Sequence, residues 1–113
     1  MKKTFYVAGV QFRPHVEIYD AVNRMKVGDH LDLVPEPTNK FDPNAVRIEF
    51  QDIFLGYVPK KFSSEISAML EIGEDLTCIV DAISPDAKAW EKIKVTIVDE
   101  EEAESYINKE DVI

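Results

Sequence analysis

With 113 residues, 45% hydrophobic and 31% charged, the chain holds one domain's worth of ordinary globular material, which excludes a disordered polymer. No apolar run is long enough to span a membrane, and a single cysteine excludes an internal disulfide. The formal charge of −9, from 13 basic and 22 acidic residues, argues as a whole against a polyanionic partner.

In chain order, residues 4–12 (TFYVAGVQF) are rich in β-branched and aromatic types and read as a strand, with Gly9 marking a bulge or a close backbone approach. Pro14 ends it. Ile18, Val22 and Met25 then fall at i, i+4 and i+7, the spacing of a helix that Gly28 closes. Leu31 and Leu33 alternate with His30 and Asp32, which is strand spacing. The segment Pro35–Pro43 (PEPTNKFDP) contains three prolines and is expected to be irregular. Val46, Ile48 and Phe50 alternate with Arg47 and Glu49, and a turn near Gln51 and Asp52 leads into IFLGYV, giving a hairpin. Pro59 opens a second helix at its first position, with a stripe of Phe62, Ile66, Met69 and Leu70, and Gly73 closes it. Leu76, Cys78 and Val80 form one further strand and Ile93, Val95 and Ile97 another, on either side of an SPDAKA turn. Six strands and two helices without a βαβ rhythm predict a mostly β, antiparallel barrel with helices filling its ends.

The acidity is uneven. Residues 99–113 carry seven acids and one lysine, a net of −6, whereas the first 98 residues carry 15 acids and 12 bases, a net of −3. The expected organisation is a barrel domain over 1–98 and an acidic tail over 99–113. That tail reads either as a solvated appendage or as a competitor for an anionic ligand on a basic patch. Ala103, Tyr106 and Ile107 have the spacing of a short docking helix. The opening MKKTFYVAGV lacks the apolar core of a secretory leader and a lone cysteine fits a reducing compartment, so a cytoplasmic location is expected.

The residues give little support to catalysis. GxSxG, HExxH, P-loop and GxGxxG motifs are all missing, and His15 and His30 sit at a turn and a strand start. One cysteine and two histidines would need carboxylates or a second chain to hold zinc, so no metal or cofactor is expected. Cys78 reads as a buried, inert thiol. The loop is more informative, because it presents Asn39, Lys40, Phe41, Asp42 and Asn44 within six positions. Phe41 could plug a barrel end. Alternatively, with Phe12, Arg13, Tyr57, Lys60 and Lys61, it belongs to a rim where rings stack bases and cations hold phosphates. Asp42 would repel phosphate but could accept a hydrogen bond from a sugar hydroxyl, or, like Asn44, simply cap the loop.

Three blocks, Val7–Phe12 (VAGVQF), Leu33–Ile48 (LVPEPTNKFDPNAVRI) and Leu55–Phe62 (LGYVPKKF), resemble the HIRAN domain in order and spacing, a likeness covering residues 4–97. The middle block is the specific one. The resemblance implies a small, six-stranded antiparallel OB-like or SH3-like barrel. It also implies a non-enzymatic module that captures the free 3′-OH end of single-stranded DNA, in repair or replication-fork processing. By position, the stacking rings fall on Phe12 and Phe41, the hydroxyl acceptor on Asp42, and a phosphate-contacting lysine on Lys60. Phe41 replaces a tyrosine of the DNA-binding members and Tyr57 a histidine. Gln11 replaces an arginine, for which Arg13 is the neighbouring substitute. These departures imply weaker binding or a different ligand. The competing readings are a protein-interaction module and an accessory subunit of a helicase or nuclease system.

Overall fold

The computed structural model describes residues 1–104. Val46, Ile48 and Phe50 are buried and Arg47 and Glu49 are half-exposed, so β3 (Val46–Phe50) has one core face. It returns through Gln51 and Asp52, both at positive φ (51° and 91°), into β4 (Ile53–Tyr57). Paired left-handed residues match the twist of a two-residue hairpin, a geometry normally given to Asn-Gly. With β1 (Lys2–Tyr6), β2 (His30–Pro35), β5 (Leu76–Ile83) and β6 (Ile93–Asp99), these strands form one antiparallel sheet ordered β1-β6-β5-β2-β3-β4.

Two bulges curl the sheet. Register shifts leave Asp81 unpaired in β5 and Leu55 unpaired in β4, and each bulge raises the local twist. The far edges therefore meet. Ala8 and Tyr57 exchange two backbone hydrogen bonds of 2.9 and 2.8 Å, which close the curled sheet. Gly56 makes the seam possible, since its backbone lies against the carbonyl of Ala8 where a Cβ would not fit.

The expected first strand is shorter than its composition suggests. It ends at Tyr6, and Gly9, at φ 77°, turns the chain into a 3₁₀ turn over Val10–Phe12. Phe12 thus leaves the sheet and projects into solvent. The two expected helices are α1 (His15–Arg24), which buries Ile18, Ala21 and Val22, and α2 (Lys60–Glu71), which buries Ser63 and Ile66. Pro59 precedes α2 as its N-cap rather than forming its first position. Phe62, on the expected stripe, is half-buried and packs on Phe5 with ring centroids 5.8 Å apart. A second 3₁₀ turn (Ala89–Glu91) precedes β6.

Asp99 ends β6, accepts the amide of Glu102 at 2.9 Å and begins a helical turn over 100–104. Tyr106 and Ile107 of the expected tail helix lie outside the described residues. The core gathers Phe5, Val7, Ile48, Leu55, Val80, Val95 and Ile97 between sheet and helices. Burial there pushes the Cys78 thiol up to about 12, so it stays protonated and unreactive at neutral pH. Among the described residues, no helix is long and apolar enough to cross a membrane.

Candidate nucleic-acid interface

The loop from Glu36 to Ala45 is built by its own side chains. Its ends meet where the Glu36 amide donates to the Ala45 carbonyl at 2.8 Å. At the tip, Asn39 Oδ1 accepts the amides of Phe41 and Asp42 at 2.8 and 3.0 Å, an Asx-type turn that a prolyl or aliphatic residue could not supply. These bonds brace the tip from within the loop, and Phe41 is presented outward, 90% exposed. The base is held by Glu36, whose Oε1 accepts Tyr57 Oη at 2.9 Å and Asn39 Nδ2 at 2.8 Å. Burial, aided by the Glu36 carboxylate, raises the Tyr57 pKa, so the phenol stays neutral and Tyr57 offers its ring to the surroundings.

Asp42 ties the loop to α2. Its Oδ2 accepts the hydroxyl of Ser63 at 2.8 Å, and its Oδ1 accepts the amide of Asn44 at 2.9 Å. The Ser63 hydroxyl has one proton and also lies 3.0 Å from the Lys60 carbonyl; the shorter, charge-assisted bond to Asp42 takes it. Ser63 is only 2% exposed and has no water to fall back on. The Ser63 bond first, then the Asn44 amide and the nearby Lys60 charge, hold the Asp42 pKa below its ordinary value. A carboxylate depressed in the folded state stabilises the fold above its unfolded pKa, and that contribution is lost as pH falls through the lower folded value. Ser63→Ala is therefore expected to flatten the acid limb of a stability–pH curve below about pH 4, measured by urea titration; an unchanged slope would separate Asp42 from the fold.

Six of the seven residues singled out in the sequence converge on one groove. Phe12, Arg13, Phe41, Asp42, Tyr57 and Lys60 line a cavity of about 510 Å³ beside the Ala8–Tyr57 seam, together with Asn39, Phe54 and Val58. Phe12, 81% exposed, comes from the 3₁₀ turn, Phe41 from the loop, and Lys60 from the first turn of α2. Gln11 stands apart. It lines a second cavity with His15, Tyr19 and Lys92, so adjacent residues serve opposite sides of the 3₁₀ turn. Lys40 and Lys61 are not in the groove wall. Among the described residues, Arg13 and Lys60 have no carboxylate at ion-pair distance, and no cluster of His, Cys, Asp and Glu is placed to hold a metal.

Sequence reasoning passed over Phe54, which lines the groove beside Arg13, and Ser63 and Glu36, which hold Asp42 and Tyr57 by hydrogen bonds. Phe54 looked like one more apolar residue of a β-hairpin, and Ser63 fell outside the apolar stripe of its helix. No local signal marks either, because their partners are 41 and 21 residues away.

A curled β-barrel whose rim carries two bare rings, two cations without a carboxylate partner among the described residues and a fixed carboxylate has the form of a small binding module. The chain belongs to the HIRAN domain family, a family of nucleic-acid-binding modules, whose model matches residues 3–101. Its fold is similar to the crystal structure of the HIRAN domain of human HLTF, with a TM-score of 0.68 at 12% identity over 87% of this chain and 74% of that one. It is also similar to a protein from Lactobacillus plantarum, with a TM-score of 0.72 at 18% identity over 86% of this chain and 95% of that one. At these identities the likeness concerns the fold. None of the curated proteins matches the sequence.

Proposed function

We propose that the groove binds single-stranded DNA at a free 3′-OH end and performs no chemistry on it. The observation that carries this reading is the pair of rings, Phe12 and Phe41, 81% and 90% exposed on the wall of one groove that also holds Arg13, Lys60 and Asp42. Large exposed rings bury little and add little to the fold. As base-stacking surfaces they contribute about 1–3 kcal/mol each. Arg13 and Lys60 supply positive charge for the phosphates. Each Asp42 oxygen accepts one protein hydrogen bond and keeps a second acceptor site, which suits a terminal sugar hydroxyl.

A 3′-phosphate would instead set negative charge against Asp42, a repulsion of about 1–4 kcal/mol at 4 Å between water-like and surface-like dielectrics. A 3′-OH oligonucleotide is thus expected to bind at least several-fold more tightly than its 3′-phosphorylated twin in a fluorescence anisotropy titration. Both should weaken as salt rises. Equal affinity for the two ends would remove end capture. No binding of either, with the fold intact, would refute the nucleic-acid reading.

A further inference from the structure

We infer that Phe54 is a positioning residue that fixes the Arg13 guanidinium as the phosphate fork of the groove, an assignment that rests on the nucleic-acid reading above. Arg13 touches Phe54 twice. Its guanidinium carbon lies 3.9 Å from the ring centroid, and its Nε donates to the Phe54 carbonyl oxygen at 3.2 Å. A stack and a hydrogen bond on one residue set both the plane and the rotation of the group. Only Nε is used. The two terminal nitrogens have no protein partner among the described residues, which leaves the paired donors that match two oxygens of a phosphodiester.

A second guanidinium, that of Arg47, also lies 3.9 Å from the Phe54 centroid. Its charge is taken by Glu49 at 3.1 Å and Glu36 at 3.7 Å. Of the two cations on this ring, Arg13 is the one left for a ligand. Tyr57 holds the ring in turn, edge-on at 5.2 Å and 88°. Among the described residues the other ring–cation pairs are looser, at 5.1 to 5.9 Å. An arginine already held in place loses less side-chain freedom when an anion arrives. Gln11, two residues earlier, faces the other cavity and carries no charge, so this segment's cation for the groove comes from position 13.

The test uses the whole chain and a fluorescein-labelled single-stranded oligonucleotide with a 3′-OH, titrated between about 50 and 200 mM salt. Arg13→Gln is expected to weaken binding roughly tenfold and to lower the salt slope by about 0.7, the share of one phosphate on a single strand. Phe54→Leu, with Arg13 intact, is expected to weaken binding by about two- to fivefold and to lower the slope in the same direction. Phe54→Tyr, which keeps the ring, should restore both. The double variant Arg13→Gln/Phe54→Leu should bind no worse than Arg13→Gln alone, since Phe54 acts through Arg13. Wild-type affinity and slope in Phe54→Leu, or losses that multiply in the double variant, would overturn the assignment. If Phe54→Leu does not fold, Arg13→Lys carries the test: it keeps the charge without the planar stack, and wild-type affinity there would be equally fatal. A wild-type chain that binds no oligonucleotide refutes the nucleic-acid reading itself, whereas one that binds while Phe54→Leu is unaffected refutes only the role of Phe54.

Discussion

Gly56→Ala is expected to cost about 3 kcal/mol and to lower the thermal midpoint by roughly 10–15 °C, read by calorimetry or circular dichroism. Gly56 sits in β4 at φ 156°, where its backbone meets the segment after β1. A methyl group there would lie inside the contact distance of the Ala8 carbonyl oxygen and 2.9 Å from Val7 Cγ1. The obstacle is backbone, so no side chain can rotate away. Relief requires Ala8 to withdraw, which breaks both hydrogen bonds to Tyr57 and reopens the barrel. Overpacking accounts for about 1–3 kcal/mol of the loss and two broken hydrogen bonds for about 1–3 more, partly offset by relaxation. Gly28 supplies the control. Its φ is 95° but a Cβ there meets nothing within 4 Å, so Gly28→Ala carries only the conformational penalty of about 1–2 kcal/mol. Equal midpoints for the two variants would mean that the seam does not close the fold. Ala8 and Tyr57 also line the groove, so any folded Gly56→Ala protein should bind oligonucleotide poorly.

Replacing both rim rings, Phe12→Ala with Phe41→Ala, is expected to remove about 2–6 kcal/mol of single-strand binding while leaving stability within about 0.5 kcal/mol. The separation of the two effects is the point. A core phenylalanine truncated to alanine costs about 3–5 kcal/mol of folding energy, because it leaves a cavity. Phe12 and Phe41 leave none, being 81% and 90% exposed. The loop that carries Phe41 is held by Asn39, Asp42 and Glu36, none of which contacts the ring for its hydrogen bonds. Anisotropy and urea unfolding on the same sample decide it. Loss of stability without loss of binding would make the rings plugs of the barrel mouth, the alternative that composition left open for Phe41.

How legible this was depended on the range of the interactions. The hairpin of β3 and β4 was visible because Val46, Ile48 and Phe50 alternate with charged neighbours, and a period of two needs no distant partner. Its turn falls between the two runs at Gln51 and Asp52, which take positive φ without the glycine that such turns usually carry. The first strand was overextended for the opposite reason. TFYVAGVQF has strand composition throughout, yet Ala8 leaves β1's partner to pair with Tyr57, and Gly9 then diverts Val10–Phe12 into a 3₁₀ turn. Tertiary pairing overrode local propensity.

The candidate site divides in the same way. Phe41, Asp42 and Lys60 stand beside prolines and turn formers, which announce an exposed loop and a helix start within a few residues. Gln11 and Arg13 could not be sorted by sequence, because a 3₁₀ turn sends one to each side while a strand would have sent both to the same face. Phe54 was silent altogether.

What the sequence determined by itself was local: strands and helices from the spacing of apolar residues, and an irregular loop from its prolines. Only the tertiary structure decided that the 3₁₀ turn, the loop, β4 and the start of α2 share one groove. That meeting depends on two bulges and on a seam at Gly56, where the strand register sums over the whole sheet. A period of two or 3.6 residues reports which face of an element is apolar, but carries no information about which distant backbone will lie against it.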